Sequence, residues 1–246
     1  MKKITLIILI SLFMVVGCSK KEAKDNSLAS LTKEEQAQAW HGERTAYLGN
    51  YDFTDIQSEE EAMKLLTGKF NVSTGPFYEE SNQVLEKTFK EKLGLDERID
   101  YSLFVTENNI SFKKVFSFSK NGVEKINAVI DLSYLFNAEK KQIRLDSQTL
   151  LILNQSDDAK LLLDQVSSLS KEMADVITIK GIEKGLKQYN KIYSDAKGNI
   201  GEKTLPIIEN GEDAYKRKAL LKSIQVSFDV NSVLREFYVN ISDKTE

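Results

Sequence analysis

The chain is poor in the residues that punctuate, cross-link or ligate: two prolines, one cysteine, one histidine and one tryptophan in 246 residues. A single cysteine cannot close an intrachain disulfide, so no cross-linked framework holds this fold. One histidine and one cysteine do not supply a structural zinc site, and no metal site is expected. The lone imidazole, His41, lies between Trp40 and Gly42 at the expected end of a helix, where the dipole mildly favours a cation. A catalytic histidine needs a nucleophile and an orienting group, and the sequence nominates neither, so no catalytic residue is assigned. Charge of one sign is missing too. With 34 Lys and Arg against 37 Asp and Glu, the net charge of −3 gives no pull toward nucleic acid. No stretch is rich in Pro, Gly or Ser, so no internal domain boundary is marked.

Several motifs fail on inspection. Gly198-Asn199-Ile200-Gly201-Glu202-Lys203-Thr204 has two residues between its glycines, not four, and Glu202 separates Gly201 from Lys203. It therefore lacks the spacing of a phosphate-binding loop, and no cofactor is expected. Residues 195–199 place Lys197 where a calcium loop needs an oxygen ligand. Glu59-Glu60-Glu61 reads as the acidic first turn of a helix. Lys216-Arg217-Lys218 reads as a solvated basic cluster, with anionic lipid as the alternative contact.

What the chain does have begins at its first residues. Met1-Lys2-Lys3 is a positive leader, followed by the uncharged residues 4–17. Such a segment spans roughly 21 Å as a helix, short of the ~30 Å hydrocarbon core, and fits a secretory signal better than a membrane span. It ends in Val15-Val16-Gly17-Cys18. This ending resembles the lipobox of bacterial lipoproteins, and the resemblance covers about the first twenty residues. It implies cleavage between Gly17 and Cys18 and attachment of a diacylglyceryl group to the Cys18 thiol. The partner so implied is the membrane, through the lipid on Cys18, at the extracytoplasmic face. Losing Lys2 and Lys3 with the leader would take the net charge from −3 to −5. Residues 19–31 are polar and lack an apolar period, as a tether does.

The organisation expected is a signal peptide at 1–17, a lipidated cysteine and tether at 18–31, and one α+β domain over 32–246. Thr32 and Glu35 form a capping box opening a helix from 33 to about 40, and Ser58 with Glu61 repeats the signature. Val84, Leu85, Phe89 and Leu93 share one helical face. The period then changes to two. Residues 101–105, 110–118, 126–134 and 142–153 read as an antiparallel meander of about four strands. Asn121-Gly122 is a type I′ hairpin signal. Helical spacing returns through Leu162, Val166, Leu169 and Met173, and again through Ile179, Ile182, Leu186, Tyr189 and Tyr193. Residues 194–210 read as a loop, 212–221 as a short helix, and 224–241 as a C-terminal hairpin. The expected fold is this meander plus hairpin, packed against amphipathic helices.

Phe112, Phe116, Phe118 and Tyr134 fall on one sheet face. Covered by helices they make a core; left open they would line an apolar ligand groove. The function expected is a membrane-anchored, non-enzymatic binding or interaction domain for a protein or an apolar ligand. Two alternatives come from other classes. One is a precursor whose signal peptide is released as a peptide pheromone, with the 11–17 segment of suitable composition. The other is a hydrolase working with carboxylates alone.

Overall fold

The computed structural model describes residues 31–245. Gly17, Cys18 and the remaining leader and tether positions before Leu31 lie outside the described residues.

The chain opens with α1 (Lys33–Gln38), capped as its sequence demands: Thr32 Oγ1 accepts from the Glu35 amide, and Glu35 accepts from the Thr32 amide. Strands β1 (His41–Glu43) and β2 (Tyr51–Ile56) follow. Helix α2 (Glu59–Lys64) is capped by Ser58 and widens into a π-type turn over Leu65–Lys69. Helix α3 (Pro76–Leu85) starts on a proline whose missing N–H would have had no partner there, and widens likewise through Glu86–Lys92. Four long strands come next, β3 (Asp96–Val105), β4 (Asn109–Lys120), β5 (Val123–Asn137) and β6 (Gln142–Asn154). The chain continues with α4 (Lys160–Leu163), α5 (Val166–Val176) and α6 (Ile182–Asp195). It closes with β7 (Lys203–Glu209), α7 (Gly211–Arg217), β8 (Leu220–Phe228) and β9 (Leu234–Asp243).

All nine strands of the described residues belong to one antiparallel sheet of order β2-β3-β4-β5-β6-β9-β8-β7, with β1 also on β6. The length of β6 makes this possible. Its second half, Ser147 to Leu153, pairs with β9, while its first residues pair with β1 on His41↔Arg144 and Glu43↔Gln142. Asn121 and Gly122 both take positive φ, 55° and 75°, and turn β4 into β5 as the type I′ signal predicts.

One sheet face is dry. Phe112↔Leu132↔Gln148↔Ile241↔Lys222 forms one cross-strand row and Tyr101↔Lys114↔Ile130↔Leu150↔Val239↔Ile224 the next. Helices cover it: Tyr78 of α3 packs on Phe112, Phe89 on Phe118, and Trp40 edge-on against Tyr134. Each large side chain so buried contributes roughly 1.5–3 kcal/mol. The opposite face stays partly exposed and is mixed, with four serines in register as Ser111↔Ser133↔Ser147↔Ser242 and an apolar row, Val115↔Val129↔Leu151↔Tyr238, on the same side.

The expected meander of about four strands with a separate hairpin is corrected by this topology. The sheet has nine strands, and the C-terminal strands are continuous with the meander through β6–β9. Three strands escaped the alternation pattern for physical reasons. In β7, within the segment read as a loop, Pro206 sits in an edge strand, where its missing N–H removes no ladder bond, and a bulge follows between Pro206 and Ile208. The other edge strand, β2, carries Asp52 and Asp55 and is bulged, features that keep an open edge from pairing with another chain. Strand β1 is three residues long and too short for any period. Helix α1 stops at Gln38 because the chain is already pairing: the Trp40 carbonyl accepts from the Leu145 amide at 2.9 Å. His41 therefore sits in β1 and not at a helix end.

Candidate functional site

Two lysines interrupt the dry face, Lys114 on β4 and Lys222 on β8, and both are almost fully buried. A buried ammonium is costly unless its charge is met. The two are met very differently.

Lys114 is fully compensated. Its Nζ donates to Glu59 Oε2 at 2.9 Å from the first turn of α2. Glu59 also accepts from the Tyr78 hydroxyl at 2.8 Å and the Tyr101 hydroxyl at 3.4 Å. The ammonium faces the rings of Phe116, Tyr78 and Tyr101 at 5.1–5.7 Å from their centroids. Burial alone would raise the Glu59 carboxyl, but hydrogen bonds from Lys114 and Tyr78 hold it below its usual range. Burial and Glu59 push the Tyr101 hydroxyl up to about 12. Every group in this cluster has a partner, and it ties α2 to the sheet.

Among the described residues the Lys222 ammonium makes one hydrogen bond. Its Nζ donates to Thr178 Oγ1 at 2.7 Å, and that hydroxyl donates onward to the Ile177 carbonyl. Among the described residues it meets no carboxylate at ion-pairing distance. Burial lowers its pKa; Arg217 pushes the same way, while Glu35 and Glu34 act against it. Thr178 is β-branched and held at φ 53°, a conformation such residues rarely adopt, and this geometry accompanies the aim of its hydroxyl at Lys222. Asn210 fixes the strand locally, accepting from the Lys222 amide at 2.7 Å and donating to the Leu220 carbonyl.

These residues line a pocket of about 600 Å³ built from three separated segments. The first turn of α1 gives Thr32, Glu34 and Glu35; the α5–α6 connection gives Thr178 and Lys180; the α7 region gives Asn210, Asp213 and Arg217. The natural partner for Lys222, Glu35, is taken. Arg217 holds it through Nη2 at 3.1 Å and Nη1 at 3.3 Å, and donates from Nε to Asp213 at 2.7 Å. Burial would raise the Glu35 carboxyl, but Arg217 and the Thr32 amide lower it. Glu35 and Asp213 hold Arg217 above its ordinary value. Lys216 is likewise engaged, with Glu212, so two members of the basic cluster at 216–218 are ion-paired within their own region.

The four aromatic residues singled out in the sequence are brought together in the interior. Phe112, Phe116, Phe118 and Tyr134 expose no surface, Phe116 and Phe118 stack at 5.7 Å, and the Tyr134 hydroxyl donates to the Ser73 carbonyl. His41 lies with Nε2 3.8 Å from Asp243, which Arg144 also approaches at 3.6 Å. Among the described residues no group of three or more His, Cys, Asp or Glu is placed to hold a metal ion. No described helix is long and apolar enough to cross a membrane. The Lys222 pocket is the feature that the sequence reading missed. Its one legible signal was phase: Lys222 sits two residues before Ile224 in an alternating run, where an apolar residue belongs. No protein-family model, curated protein or solved structure matches the chain.

Proposed function

We propose that the protein is an extracytoplasmic lipoprotein, anchored to the membrane through Cys18, whose domain binds a ligand and does not catalyse a reaction. The observation that carries the binding half of this reading is Lys222: a buried ammonium, met among the described residues by a neutral hydroxyl alone, in the wall of a pocket. A break in the rules of a stable core that has no compensating partner, unlike the one at Lys114, is the kind found at functional sites. With Phe112, Phe116, Phe118 and Tyr134 packed under helices, the ligand this geometry favours is polar and charged, not apolar.

The anchoring half rests on the Val15-Val16-Gly17-Cys18 sequence. The lipidated cysteine would stand thirteen positions before Leu31, so the tether reaches at most roughly 45 Å. Two acyl chains hold a protein stably where one does not. The test is labelling with radioactive palmitate in a bacterial host. The natural chain should incorporate label and run as the cleaved form, whereas Cys18→Ala should stay unlabelled and uncleaved. Label in the variant would reject the anchor.

A further inference from the structure

We propose that Lys222 is the seat for the carboxylate of a small zwitterionic ligand, an amino acid or short peptide. This rests on the binding reading above and names the class of ligand. Three observations converge on it. First, the ammonium carries three protons and uses one, on Thr178, while its own strand position is locked by Asn210. It is a rigid donor with unused capacity, buried beyond nine-tenths, in the lining of a pocket.

Second, the two wall acids that Arg217 holds cannot take up that capacity without dismantling something else. Glu35 is clamped by both terminal nitrogens of Arg217 and closes the α1 capping box. Asp213 holds the third guanidinium nitrogen. A carboxylate arriving from outside is the group that completes Lys222 with a charge-assisted hydrogen bond and leaves the neighbouring network intact.

Third, the charge balance of the wall selects among anions. Four acids, Glu34, Glu35, Asp175 and Asp213, face three bases, Lys180, Arg217 and Lys222, so the lining already carries −1. A phosphate dianion would deepen that excess threefold. A zwitterion leaves it unchanged, with its carboxylate on Lys222 and its ammonium toward Glu34 and Asp175. The pocket is large enough for such a ligand, since small-molecule sites run about 300–1,000 Å³ and this one is about 600 Å³.

The experiment uses the mature acylated protein, beginning at Cys18, isotopically labelled and held in detergent, with backbone amide signals followed by NMR. Triglycine, acetate and inorganic phosphate are the probes. Triglycine should shift the Thr178, Lys180, Asn210 and Lys222 amides saturably, with acetate weaker and phosphate weakest. Lys222→Met should weaken triglycine binding at least about tenfold, the worth of one charge-assisted hydrogen bond. Lys222→Arg should retain part of it, and Lys114→Met should not alter it, which separates loss of the site from general damage to the sheet. Three results would overturn the assignment: no saturable shift at these amides, unchanged triglycine binding in Lys222→Met, or phosphate binding more tightly than triglycine. The first of these, if accompanied by saturable shifts elsewhere on the domain, would leave the binding-domain reading standing.

Discussion

Replacing Lys114 with methionine isolates the worth of the compensated cluster. Methionine keeps the unbranched stem that fills the space beside Phe116 and removes only the ammonium. The Glu59 carboxylate then keeps its hydrogen bonds from Tyr78 and Tyr101 and loses the charged one from Lys114. Removing one partner of a fully buried pair costs about 3–5 kcal/mol, and an exposed pair is worth about 0.2–1. Here the lysine is 3% exposed and the glutamate 40%, so water can rehydrate the orphaned carboxylate in part. The expected loss is about 1–2 kcal/mol, which for a domain of this size lowers Tm by roughly 2–8 °C. The pH dependence fixes the mechanism. The folded Glu59 carboxyl lies below its ordinary value of 4.5, so its contribution is complete above that value and is lost as pH falls through the folded one. Thermal melts by circular dichroism at pH 7 and near pH 3 should therefore show the gap between natural chain and variant narrowing in acid. A variant as stable as the natural chain at pH 7 would refute the claim that this pair holds α2 to the sheet. So would a gap that does not change with pH.

Other substitutions test other contacts. Lys222→Met should leave the domain equally stable or about 1–4 kcal/mol more stable, because it removes an uncompensated buried charge. The folded Lys222 pKa is lowered from 10.5, so the natural chain gains stability as pH rises toward that value, and the advantage of the variant should shrink over the same window in urea titrations. Gly185→Ala should destabilise by about 1–3 kcal/mol despite alanine's better helix propensity, since the new methyl group collides with the Ile207 carbonyl; an unchanged urea midpoint would refute that close approach. Phe116→Ala should cost about 3–5 kcal/mol by the same assay, and a cost under about 1 would mean that this face is not sealed.

Legibility in the sequence followed the range of the interactions. The Thr32–Glu35 capping box, the Asn121-Gly122 turn and the faces of α5 and α6 are decided within a few residues, and they were readable. Strands β2 and β7 were not, because an edge strand is selected as much for refusing a neighbour as for pairing. Its charges, its proline and its bulge erase the alternation that marks an inner strand. The pocket was invisible for another reason. Glu35, Thr178 and Lys222 meet only after the sheet has brought the first helix beside the last strands, and no local pattern records that meeting. Lys114 breaks an apolar run and so leaves a local mark, but its partner Glu59 carries only the signature of the acidic start of a helix.

The way α1 is strapped down gives the domain a mechanical grain. Leu31 is buried, Glu35 is gripped by Arg217, the Gln38 side chain donates to the Val176 carbonyl, and the Gln38 carbonyl accepts from Gln148. Beyond these fastenings, β1 is stitched to β6 over three residue pairs. Tension applied ahead of Leu31 is therefore delivered to this strap before it reaches the long strands of the sheet. Because Thr32, Glu34 and Glu35 are also a wall of the pocket, the strap cannot yield without opening it. A ligand seated in the pocket would brace the strap, and tension that lifts the strap would loosen the pocket wall.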